Sequence, residues 1–117
     1  MLLLRPYLFF IFLIFFFTSS FALESSWSNS NESKVRIISS LSNVGNSEKF
    51  YLGLEYKLNE EWKTYWKSPG DGGFPQEISW ENSKNIESLE LLWPKPERFG
   101  ILDLNSLGYS EHVIFPL

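Results

Sequence analysis

Fourteen carboxylates and one histidine, with no cysteine, are the groups in this 117-residue chain that offer acid–base, nucleophilic or metal chemistry. His112 stands alone, and no Ser or Asp is set around it in a pattern that would build a nucleophilic triad. One imidazole without thiolates also falls short of the ligand set of a zinc site. Carboxylate pairs remain. Glu60 and Glu61 are neighbours, and neighbouring side chains on a strand point to opposite faces, so they do not flank one glycosidic bond. Glu55 with Glu77 is the other pair to consider, but fourteen acids on a small surface are better explained as solvated groups. Without a thiol, disulfide exchange cannot take place on these residues. No catalytic, cofactor-binding or metal-ligating residue is assigned.

The stretch "EWKTYWKSPGDGGFP", residues 61–75, holds the densest aromatic and glycine signals. Its corner, Pro69, Gly70, Asp71, Gly72 and Gly73, has the glycines of a phosphate-binding loop. It lacks the Lys-Ser/Thr of such a loop, no helix follows, and Asp71 repels an anion. Glycines that permit positive φ at a tight turn are the simpler reading. Trp62, Tyr65, Trp66, Trp80 and Trp93 offer flat faces on which a sugar ring could stack. Against that, Trp62 and Trp66 share a strand face, which points to a core, with Tyr65 and Lys63 lining the solvent side. Aromatics left exposed would mark a protein-binding surface. A secreted sandwich that binds carbohydrate or envelope polymer is the alternative reading.

These groups need a frame, and the ends of the chain set its compartment. Arg5 precedes an apolar run of eleven residues, Tyr7 to Phe17, followed by small and polar residues up to Ala22. That pattern predicts a signal peptide over residues 1–22 cleaved after Ala22. The run is shorter than the roughly 20 residues of a membrane span, so an anchor is the weaker reading. Export of a soluble mature chain follows. Removing residues 1–22 takes one of ten basic groups and no acidic ones, leaving a formal charge of −5, nine against fourteen. Scattered cations on an acidic chain disfavour nucleic acid. Residues 23–33, rich in Ser and Asn, read as a flexible leader. The last residues, "HVIFPL", are an apolar strand still arriving, which predicts a domain over 34–117 that is incomplete at its C-terminus.

From Lys34 onward the hydrophobic period is two. "KVRIISSL" and "FYLGLEYKL" alternate, the second placing Leu52, Leu54, Tyr56 and Leu58 on one face. "WKTYW", "QEISWE" and "IESLELLW" continue the pattern. "RFGILDLNSLGYSE" reads as a long connection, and "HVIFPL" as a sixth strand whose Pro116 needs an edge or a bulge. Six short strands without a helical stripe predict an all-β fold, an antiparallel β-sandwich.

Several motifs then fall in a fixed order: "WKTYWKSPGDGGFP" (Trp62 to Pro75), "ISW" before an Asn-Ile segment, "LLWPKPERF" (Leu91 to Phe99), and "LGY" before "VIFPL". Together they resemble the N-terminal periplasmic domain of DsbD/ScsB-type thiol:disulfide interchange proteins, the disulfide bond corrector family. The resemblance covers about half of the chain. It implies an immunoglobulin-like sandwich placed before a transmembrane domain and often a thioredoxin-like domain. It also implies electron transfer to periplasmic thiol oxidoreductases through a cysteine pair, serving disulfide isomerisation, cytochrome c maturation or thiol repair. The cysteine pair has no counterpart here, so no catalytic residue carries over. The motif residues Trp62, Tyr65, Trp66, Pro69, Gly70, Asp71 and Gly72, with Trp93, Pro94, Pro96, Arg98 and Phe99, are expected to define the fold and to face partners.

Overall fold

The computed structural model describes residues 22–117, so the signal expected over residues 1–22 lies outside the described residues but for its last. Eight strands and no helix make up the secondary structure there: β1 (Leu23–Glu24), β2 (Ser28–Asn29), β3 (Ser33–Ser39), β4 (Gly53–Leu58), β5 (Lys63–Gly70), β6 (Glu97–Ile101), β7 (Leu104–Ser110) and β8 (His112–Pro116). They form two antiparallel sheets. One has the order β1-β3-β4-β8, with β2 also on β3, and the other has the order β5-β7-β6.

Alternation sets the register of the first sheet. Val35 pairs with Tyr56 and Ile37 with Leu54, while Arg36 pairs with Glu55 between them. Across β4, Val113 meets Tyr56 and Phe115 meets Leu54. A slip of one residue would exchange the two rows, so burial of Val113 and Phe115 together with the Arg36–Glu55 ion pair holds the pairing. The core is aromatic. Phe115, 0% exposed, is met edge-on by Tyr56 and Trp93 at 5.6 Å and by Tyr109 at 5.0 Å. Tyr109 belongs to β7, so this cluster joins the two sheets. Edge-to-face geometry places the positive rim of one ring on the negative face of another. Pro116 lies on β8, an edge strand, and its carbonyl accepts a hydrogen bond from the Leu92 amide at 2.8 Å.

Four expectations change. Residues 76–81 and 86–93 are not strands; the first follows an isolated bridge between Tyr65 and Pro75 and is tied to β5 by the hydrogen bond that Thr64 Oγ1 donates to Gln76 Oε1 at 2.9 Å. Their period-two signal is that of extended chain, in which Leu91 and Trp93 turn inward to the core without a ladder partner. Residues 98–111 are mostly the β6–β7 hairpin rather than a connection. Its two-residue turn is Leu102-Asp103, both at positive φ (48° and 66°), a hairpin turn normally signalled by Asn or Gly. The leader is tied down as well, since β1 and β2 pair with β3. The fourth concerns Trp62, which is 51% exposed. Its amide bonds back to the Asn59 carbonyl at 3.1 Å, in a turn that Glu61 completes at φ 70°, so the indole precedes the sheet and misses the core.

Candidate functional site

Two places concentrate the distinctive side chains. The first is the end of the second sheet, where the glycine-rich corner meets the β6–β7 hairpin. Between the pairs Tyr65–Gly108 and Gly70–Ser106, β5 carries three more residues than β7. Trp66 to Pro69 form this bulge, where the missing amide of Pro69 costs no ladder bond. The bulge delivers Asp71 onto the start of β7. Its carboxylate accepts from the Asn105 amide at 2.8 Å, and its own amide donates to the Asn105 carbonyl at 3.0 Å. Ser106 Oγ donates to the Gly72 carbonyl at 2.9 Å. Gly73, at φ 107°, lies where a β-carbon would overlap the Tyr65 ring. Gly108 sits so close to the Thr64 carbonyl that any side chain would force β5 and β7 apart.

The latched corner presents apolar groups to water. Phe74 is 90% exposed and Leu102 is 91% exposed, one on each of the two joined loops. Leu104, also exposed, lies beside Gly72. Neither Phe74 nor Leu102 was selected by sequence reasoning. The sequence carried no signal for Leu102, because the φ of 48° that sets it on a turn is known only from the fold.

The expected site residues divide between frame and surface. Tyr65, expected to line the solvent side, is half-buried and packs on Phe99 at 5.9 Å. Trp66 and Trp93 pack against the core. The Pro94 carbonyl accepts the Tyr109 hydroxyl at 2.7 Å, fastening the "WPKP" segment to β7. Burial raises the pKa of Tyr109, which keeps that hydroxyl a donor. Pro96 leads into β6, where Arg98 is exposed opposite Leu107. Trp80, like Tyr65, Trp66 and Trp93, is half-buried, and Trp62 is the indole among the five aromatics that stands open.

The second place is the outer face of the first sheet. Glu55, 6% exposed, accepts from Arg36 Nε at 2.6 Å and is joined to His112 Nε2 at 2.7 Å. The hydrogen bond with His112, then that from Arg36, holds its carboxyl below the usual range, against the opposing effect of burial. Arg36 Nη1 also reaches Glu24 at 2.7 Å. The strands thus gather Glu55 and His112, which the sequence left as unrelated groups. Cross-strand neighbours on the polar face were the hidden signal, because Arg36 stands opposite Glu55 and Lys57 opposite His112. No nucleophile is joined to this pair, and the described residues hold no cluster suited to a metal ion.

Two antiparallel sheets closed over an aromatic centre, with loops latched at one end, define an immunoglobulin-like β-sandwich. Residues 34–117 match the family described as thiol:disulfide interchange protein DsbD, N-terminal, and the chain belongs to that family. The N-terminal periplasmic domain of ScsB from Proteus mirabilis is similar in structure, with a TM-score of 0.61 and 27% identity over 80% of this chain. The chain spans 37% of that protein's crystallised length. No curated protein matches it.

Proposed function

We propose that this chain is the periplasmic N-terminal module of a thiol:disulfide interchange protein and that it docks thioredoxin-like oxidoreductases through its corner–hairpin end. The carrying observation is the pair Phe74 and Leu102, nearly fully exposed on loops joined by the Asp71–Asn105 bonds. An exposed leucine at positive φ is costly in isolation, and strain of this kind concentrates at functional sites. Two apolar anchors on a latched frame suit the centre of a small interface, where aromatic and aliphatic groups supply most of the binding energy. The sequence has no cysteine. The module therefore contributes recognition, and the thiols that exchange electrons belong to other residues of the complete protein or to its partner. Electrons handled in this way serve disulfide isomerisation, cytochrome c maturation or thiol repair. The periplasmic setting of the similar ScsB domain and the apolar N-terminal run support the compartment.

The test is titration of the isotopically labelled chain with a reduced periplasmic thioredoxin-like oxidoreductase, followed by NMR. Saturable shifts are expected at Phe74, Leu102 and Leu104. Phe74→Asp together with Leu102→Asp should weaken binding by at least about tenfold, the effect of losing one anchor or more. Unchanged affinity in that variant would move docking elsewhere and end this reading. The carbohydrate alternative has less support, as Trp66 and Trp93 pack against the core and Trp62 is the open indole among the five aromatics it would use.

A further inference from the structure

Residues 23–29 are held in an unusual way. They lie along the outer edge of β3, with Leu23 and Glu24 paired to Ser39 and Ile38, and Ser28 and Asn29 paired to Val35 and Lys34. Between the two short pairs, the Ser25 amide donates to the Ile37 carbonyl at 2.8 Å. The Ile37 amide in turn donates to Ser25 Oγ at 2.9 Å, a hydroxyl standing in for a backbone acceptor. Nearly the whole free edge of β3 is covered. Yet the segment contributes nothing to the core: β1 and β2 are exposed, and Leu23 stays about half in water.

Two side chains supply its specificity. Glu24 pairs with Arg36, and the Trp27 ring lies against Arg36 Cζ at 4.3 Å and Lys57 Nζ at 5.0 Å. A cation over an indole face is attracted by the ring quadrupole. One of the receiving cations, Arg36, is also held by groups outside the segment. Glu55 fixes Arg36 through Nε and is itself backed by His112. A guanidinium held from behind presents its remaining edge and its face to an incoming carboxylate and ring.

We infer that the β3 edge, with Arg36 and Lys57, is a strand-acceptor site for an extended peptide carrying a carboxylate three residues before an indole. Residues 23–29 are its resident occupant, bound in cis and exchangeable. Strand addition takes affinity from main-chain bonds and selectivity from alternate side chains, and both components are built here. The segment can leave without opening the core, so its detachment belongs to the low-stability end of local motions. Tethering gives it an effective concentration in the millimolar range, so a free peptide competes poorly until the resident is weakened. A partner protein presenting an acidic–aromatic strand is the class of ligand that the site fits. This surface is on the opposite sheet from the corner–hairpin end and stands independently of the docking proposal.

The experiment uses the chain from Leu23 to Leu117 and a fluorescent peptide of sequence LESSWSN. Glu24→Gln combined with Trp27→Ala should loosen the resident and allow saturable binding of the peptide. The unsubstituted chain should bind it at least about tenfold more weakly because the site is filled. Adding Arg36→Met to the loosened variant should abolish binding. No peptide binding by the loosened variant, or equal binding with and without Arg36, would overturn the inference. Hydrogen exchange on the unsubstituted chain gives a second reading that needs no variant. The Ser25 and Ile37 amides should exchange on the order of a hundredfold faster than the paired amides of β4, through local release. Exchange of all of them at one common rate, set by global unfolding, would also overturn it.

Discussion

Glu55 shows how far one residue's role depends on its neighbours in space. On sequence grounds it is one of fourteen acids, placed on the polar side of the clearest strand. In the fold it is buried between Arg36 and His112, which together hold its pKa below the ordinary value of 4.5. A carboxyl whose folded pKa is depressed contributes stability that is complete above the unfolded value and is lost as the pH falls through the folded one. Urea unfolding should therefore show a loss of stability below about pH 4.5, to which Glu55 contributes. Glu55→Gln should cost about 1–3 kcal/mol at pH 7, since Arg36 then lacks its buried counter-charge. It should also flatten the acid limb. An acid limb as steep in the variant as in the parent would assign that dependence to other carboxyls.

Among the elements, the β6–β7 hairpin carries the sharpest prediction. Its turn places Leu102 at φ 48°, where a β-carbon crowds the following carbonyl at a cost of about 1–2 kcal/mol. Asn tolerates that conformation better. Leu102→Asn should raise stability by about 0.5–1 kcal/mol in urea unfolding while weakening partner docking, a trade of stability against function. A variant that is both less stable and fully competent to dock would contradict the role given to the turn. The same hairpin shows why sequence pattern failed locally. Hairpins are recognised by the Asn or Gly of their turns, and "LD" gives neither. The opposite error occurred at residues 86–93, where extended chain directs Leu91 and Trp93 inward and imitates a strand. Alternation reports which side chains face the core. It does not report whether the backbone has a partner.

At the scale of the whole molecule, one ring joins the sheets. Phe115 is enclosed by Tyr56 from β4, Tyr109 from β7 and Trp93 from the connection before β6, so its removal unsettles both layers at once. Phe115→Ala should cost about 3–5 kcal/mol, a large part of the roughly 5–15 kcal/mol of a domain's stability. Thermal unfolding should lose its cooperative transition or shift far downward. Trp62→Ala, although it removes a larger side chain, should change stability by no more than about 0.5 kcal/mol, because that indole lies outside the core. Equal effects from the two substitutions would refute this assignment of the centre.

The sequence by itself determined the class of fold, the core-facing row of β4 and the family. Period-two patterning is a local property of extended chain, and ordered motifs survive without knowledge of contacts. It also supplied Gly70 and Gly73 of the corner, both at positive φ, a need that is local too. Tertiary structure alone decided which tryptophans are enclosed, because Trp62 and Trp66 obey the same alternation and a turn separates their fates. It alone brought Glu55, Arg36 and His112 together from positions 19 and 57 residues apart along the chain. Long-range pairing of that kind depends on strand register across several elements, and no short stretch of residues encodes it.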